Sequence, residues 1–112
     1  MQTAYITHPL CLKHDMGEHH PECPARIHAI EDRLIAAGLL DYLQRHDAPE
    51  ATREQLLRVH DADYVDAIES AAPQHGMVQL DPDTSMNPFS YPAALRAAGA
   101  VVQCGRIAER VH

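Results

Sequence analysis

Residues 14–26 read HDMGEHHPECPAR, and the stretch changes character within itself. Up to Cys23 no apolar residue recurs at helical spacing. Gly17 and Pro21 interrupt the run, and its side chains are chiefly histidines and acids, so residues 10–23 are expected to form a loop. At Pro24 the pattern switches. A proline suits the first turn of a helix, where its missing N–H costs nothing. Ile27, Ile30, Leu34 and Ala37 then fall at i, i+3, i+7 and i+10, which places them on one helical face. Gly38 supplies the stop. A chemically dense loop feeding an amphipathic helix is the feature from which the rest is read.

Upstream, Thr3–Thr7 (TAYIT) is a β-favouring run closed by His8 and Pro9, and is expected to be a buried strand. Downstream, Tyr42 to Pro49 is a connector with room for a short strand. Thr52 and Gln55 have capping-box spacing, so a short helix through Leu56, Leu57 and Val59 should follow. Asp61 can cap the next helix, whose Val65, Ile68 and Ala72 share a face and which Pro73 ends. Asp81-Pro82-Asp83 and Asn87-Pro88 mark a turn-rich loop. Ser90 is the expected N-cap of a final helix in which Leu95, Ala98 and Val102 are aligned. The small residues Ala93, Ala94, Ala97, Ala98, Gly99 and Ala100 allow another element to come close to it.

The 112 residues suffice for one small domain, and the 46% hydrophobic content is that of a globular chain. The net charge of −7, with Lys13 as the only lysine, argues against a binder of phosphate backbones. Cys11, Cys23 and Cys104 follow no C-x-x-C pattern and suit a reducing compartment. The absence of an apolar run long enough to span a bilayer makes a cytoplasmic protein without a membrane partner the expectation.

Nine histidines are many for this length, and five of them (His8, His14, His19, His20, His28) lie in or near the first loop. With Asp15, Glu22 and Cys23 they include the common zinc ligand types. Their spacing is not H-E-x-x-H, and no helix places two of them at i and i+4. A polar loop lining a pocket is therefore the simpler account of His14 to Cys23, and a small metal site built from that loop is the alternative. No G-x-S-x-G or S-x-x-K motif marks a nucleophile. His60 beside Asp61 and Asp63 has the makings of an acid–base group. Two helix-capping carboxylates beside a solvated or packed histidine are the simpler explanation.

Three stretches, taken in order, add a resemblance. HDMGEHHPECPAR resembles the first loop of the histone deacetylase and acetylpolyamine amidohydrolase family, especially the class II-like bacterial type, where H-P-E-x-P-x-R precedes a helix. EQLLRVHDADYV (54–65) is similar to that family's L-x-x-V-H-x-x-x-Y-V segment. DPDTSMNPFSYPAALRAAG (81–99) is similar to its second loop and the Ala/Gly-rich helix after it. The resemblance implies an α/β chain: the N-terminal segment of a three-layer α/β/α arginase/deacetylase-like fold, mostly helical with one or two strands here. The parallel sheet of the full fold has about eight strands, in chains of more than about 300 residues.

It also implies a zinc-dependent hydrolase of N-acetyl amides, acting on an acetylated small molecule or a protein lysine. In the family one zinc, held by two aspartates and a histidine, activates the attacking water. Those residues follow an R-P-P-G-H-H motif that is absent here. Residues 1–112 are thus expected to be one portion of a single domain, truncated before the metal site, with no catalytic or metal residue of its own and no zinc bound alone. His19-His20 is not the catalytic pair, because Pro21-Glu22 follows it. His20 and Pro21 match first-loop positions at the pocket mouth. Arg26 matches an arginine beneath the pocket that donates to backbone carbonyls. Asp83 matches the second-loop carboxylate that grips substrate amides, with Asp81 as the alternative register. The remainder of the deacetylase chain is the expected partner and a homo-oligomer is left open. The rival to all of this is a non-catalytic, self-associating helical module.

Overall fold

The computed structural model describes residues 3–17, 20, 23–81 and 84–111. Strand β1 spans Thr3–Thr7, as its β-branched and aromatic residues require. A 3-10 turn over Pro9–Leu12 follows, with the His8 ring accepting from the Leu10 N–H at 3.1 Å. Helix α1 covers Pro24–Ala36, with Pro24 in its first turn. Its exit is a Schellman motif. The Gly38 N–H reaches the Ile35 carbonyl at 3.0 Å and the Leu39 N–H the Leu34 carbonyl at 2.9 Å. Gly38 adopts φ +70°, which is why a glycine stands there.

Strand β2, Leu43–Asp47, lies parallel to β1, with Thr3 opposite Leu43 and Thr7 opposite Asp47. Parallel pairing needs a crossover, and α1 supplies it. The Tyr5 hydroxyl donates to Glu31 of α1 at 2.8 Å, and the Arg45 guanidinium sits over the Tyr5 ring at 5.9 Å. Burial and the Glu31 carboxylate hold the Tyr5 phenol above its usual 10.0, so at neutral pH it remains a donor. The two strands differ in chemistry. β1 carries Ala4, Tyr5 and Ile6, all half-buried, whereas β2 exposes Gln44, Arg45 and Asp47. Charged, exposed residues are typical of an outer edge.

Helix α2, Arg53–Leu56, starts at the complete Thr52/Gln55 capping box. Helix α3, Ala62–Ala71, buries Val65, half-buries Ile68, and has Asp61 at its N-cap position without a side-chain cap bond. Strands β3, Val78–Asp81, and β4, Thr84–Met86, form an antiparallel hairpin with an irregularity between Gln79 and Asp81. The described residues thus hold four short strands in an otherwise mainly helical chain, in keeping with the expected α/β segment. Asp81 ends β3 and Thr84 begins β4, where the sequence pointed only to a turn-rich loop. Helix α4 runs from Ser90 to Val111. Its Leu95, Ala98 and Val102 are half-buried as expected, and Val101, facing away, is 73% exposed.

The tightest packing is where the segment after β2 crosses α4. The Ala51 N–H donates to the Leu95 carbonyl at 2.9 Å, and Arg96 Nη1 to the Ala48 carbonyl at 3.0 Å. Gly99 leaves room for the Pro49 carbonyl. Among the described residues Ala48, Ala51, Val65, Met86 and Ala93 are the buried apolar ones, and no large side chain is fully enclosed. The radius of gyration is 15.7 Å, against about 13 Å for a compact domain of this length. The accessible surface of 7949 Å² exceeds the roughly 6,100 Å² typical of a 12.4 kDa monomer. The excess, about 1,800 Å², is roughly twice the ~800 Å² that one partner contributes to a standard protein–protein interface.

Candidate functional site

Five parts of the chain converge on one open cleft of about 530 Å³. The first loop brings Cys11, His14 and Met16, and the start of α1 brings Cys23, Arg26 and Ile27. Tyr64 and Ile68 come from α3, and Thr84 to Met86 from the hairpin. The start of α4 closes the ring with Ser90 and Tyr91. These are the stretches singled out in the sequence, so motifs scattered along the chain share one wall in space. A smaller cavity of about 190 Å³ adjoins it, where His60 and Tyr64 flank Tyr91. The rings of His60 and Tyr64 meet at 5.2 Å, tilted by 30°, on an exposed face of the chain.

A polar knot holds the first loop to α4. His14 Nδ1 lies 2.6 Å from Ser90 Oγ, which is buried. Asn87 binds the same hydroxyl twice, through its backbone N–H at 2.9 Å and its side-chain oxygen at 3.0 Å. That oxygen also accepts from the Phe89 N–H at 3.0 Å, while the Asn87 amide nitrogen donates to the Lys13 carbonyl at 2.7 Å. The Lys13 ammonium lies 5.0 Å from the centre of the Phe89 ring. Ser90 was expected to be the N-cap. It is instead the first helical residue, with its hydroxyl turned back to residue 87. Burial and the Glu69 carboxylate raise the Tyr91 phenol above 10.0, against the opposing pull of Arg53. Tyr91 therefore faces the cleft as a neutral donor.

The residues expected from sequence are distributed as follows. Arg26 lines the cleft and is exposed; its backbone N–H donates to the Cys23 carbonyl at 3.1 Å, and its guanidinium makes no hydrogen bond among the described residues. His20 is half-buried, its N–H 3.4 Å from the Gly17 carbonyl, and stands outside the cleft lining. Asp81 ends β3, paired with Thr84. Pro21 and Asp83 lie outside the described residues. Sequence reasoning missed the joint role of His14, Asn87 and Ser90. Its only signal was a histidine in the first loop and a cap-type serine 76 residues later.

Among the described residues no group of three or more histidines, cysteines and carboxylates is placed to hold a metal ion. The residues in hand do not fit the zinc site that the sequence resemblance implies, and no chemical step is derived through one. Nor, among the described residues, is any helix long and apolar enough to cross a membrane.

Comparison with known proteins agrees with this geometry. A model of the histone deacetylase domain matches residues 20–111. A histone deacetylase-like amidohydrolase of Pseudomonas aeruginosa is 30% identical over 118 aligned positions, covering 90% of this chain and 31% of that protein. Histone deacetylase 5 of Arabidopsis thaliana is 34% identical, over 88% of this chain and 16% of its own length. The crystal structure of the HDA15 HD domain superposes with a TM-score of 0.78 at 31% identity, covering 89% of this chain and 30% of that one. The chain thus spans less than a third of these relatives. With the family model matched over most of its length, this chain belongs to the histone deacetylase domain family.

Proposed function

We propose that residues 1–112 form one wall of a zinc-dependent deacetylase pocket that hydrolyses N-acetyl amides of a small molecule or a protein lysine. The observation that carries this is the convergence of the first loop, the hairpin and the start of α4 on one open cleft in a chain of this family. Polypeptide outside these residues would supply the metal ligands and the acid–base groups, and would cover the roughly 1,800 Å² of excess surface. In this reading Arg26 donates to carbonyls of that further polypeptide, a task its planar fork suits. His20 and Pro21 border the mouth, and Asp83, or Asp81 in the alternative register, accepts from substrate amides. The 112-residue chain alone would be inactive, and the enzyme cytoplasmic.

The test is zinc content and turnover of an acetyl-lysine reporter. It compares the 112-residue chain with the polypeptide extended to the end of its reading frame. Zinc and turnover in the extended form alone are expected. An extended form without zinc would sink the deacetylase reading. Tight zinc binding by the short chain would move attention to a metal site in the His14–Cys23 loop. A short chain that forms a stable, discrete oligomer, with no activity in either form, would favour the self-associating module.

A further inference from the structure

We infer that Ser90 and Asn87 are positioning residues that set the tautomer of His14, with the proton on Nδ1 and Nε2 bare. The argument is one of hydrogen-bond capacity. A serine hydroxyl has one hydrogen and two acceptor sites. One acceptor site is taken by the Asn87 N–H at 2.9 Å. The hydrogen and the second site must then serve the Asn87 side-chain oxygen at 3.0 Å and His14 Nδ1 at 2.6 Å. The amide orientation of Asn87 is fixed from outside this pair. Its oxygen faces the Phe89 N–H and its nitrogen the Lys13 carbonyl, so turning it over would break both bonds. The Asn87 amide oxygen can only accept, so the serine hydrogen goes to it, and His14 must donate through Nδ1. The opposite arrangement sets two acceptor oxygens face to face at 3.0 Å with no hydrogen between them.

Two consequences follow. Ser90 is no nucleophile, because a serine activated by histidine donates to a bare ring nitrogen, the reverse of this geometry. The knot joins the first loop to the start of α4, and so fixes two walls of the cleft relative to each other. Calling those walls a substrate pocket rests on the deacetylase reading; the tautomer does not.

The experiment is long-range nitrogen–proton correlation NMR on the 15N-labelled 112-residue chain, at mildly alkaline pH where histidine is neutral. An imidazole free in water favours the proton on Nε2, so His14 is expected to stand apart with Nδ1 protonated. S90A should return His14 to the solvent-like form, and S90T, which keeps the hydroxyl, should restore Nδ1–H. A wild-type His14 protonated on Nε2 overturns the inference without recourse to any variant. So does an S90A protein that keeps the Nδ1–H form. The readout needs neither zinc nor turnover. Failure of the deacetylase assay leaves it standing, and its own failure leaves that assay untouched.

Discussion

Replacing Gly99 by alanine should be the most damaging single methyl addition in α4. A Cβ there would lie 1.8 Å from the Pro49 carbonyl oxygen, 2.7 Å from its carbon and 3.1 Å from the Ala51 nitrogen. Reaching ordinary contact near 3.5 Å would move the crossing segment by about 1.7 Å. Such a shift breaks the bonds from Ala51 N to the Leu95 carbonyl and from Arg96 Nη1 to the Ala48 carbonyl. Each contributes about 1 kcal/mol. Overpacking adds about 1–3 kcal/mol, and the better helix propensity of alanine returns about 1 kcal/mol. The net loss is on the order of 2–4 kcal/mol, or about 1–2 M in urea midpoint for a typical slope of about 2 kcal/mol/M. Gly105 is the internal control, since a Cβ there meets nothing within 4 Å. G105A should stabilise by about 0.5–1 kcal/mol. Urea melts followed by far-UV circular dichroism measure both. Equal, stabilising effects of the two changes would refute the close crossing of residues 48–51 over α4.

Other outcomes follow from features already described. G38A, at φ +70° with open space around it, should cost about 1–2 kcal/mol from backbone strain alone, and G38N less, as read from thermal midpoints. T52A removes half of the capping box and should cost about 1 kcal/mol in a urea melt. The Tyr5 phenol is raised in the folded chain by burial and by Glu31. Its contribution is therefore complete below the unfolded pKa of about 10 and fades as pH rises through the higher folded value. Stability measured across that alkaline range should fall in the wild type and fall less in Y5F.

Much of the framework was legible because local chemistry dictated it. Thr3–Thr7 is a strand with a proline at its back, Pro24 opens α1, Gly38 ends it, and Thr52 with Gln55 starts α2. The hairpin was not legible, because Val78 and Leu80 alternate over only four residues before Asp81, Pro82 and Asp83 dominate the pattern. β2 was half-hidden for another reason. Gln44, Arg45, His46 and Asp47 have the polarity of a connector, and only pairing with β1 makes them a strand. The site followed the same division. Its loops could be named from their residues, but the bond between His14 and Ser90 could not. No local rule relates a loop histidine to a helix start 76 residues away.

The contrast between the two parallel strands has a kinetic signature. A strand paired on one side turns alternate amides toward its neighbour and the others outward. Among the described residues β1 is paired with β2 alone, so its amides should exchange with deuterium in two classes, one slowed by the ladder and one close to the rate of open chain. The polar face of β2 discourages pairing on the far side. Growth of the sheet would therefore be read first on β1. If a further strand docks, the fast class of β1 amides slows while that of β2 does not.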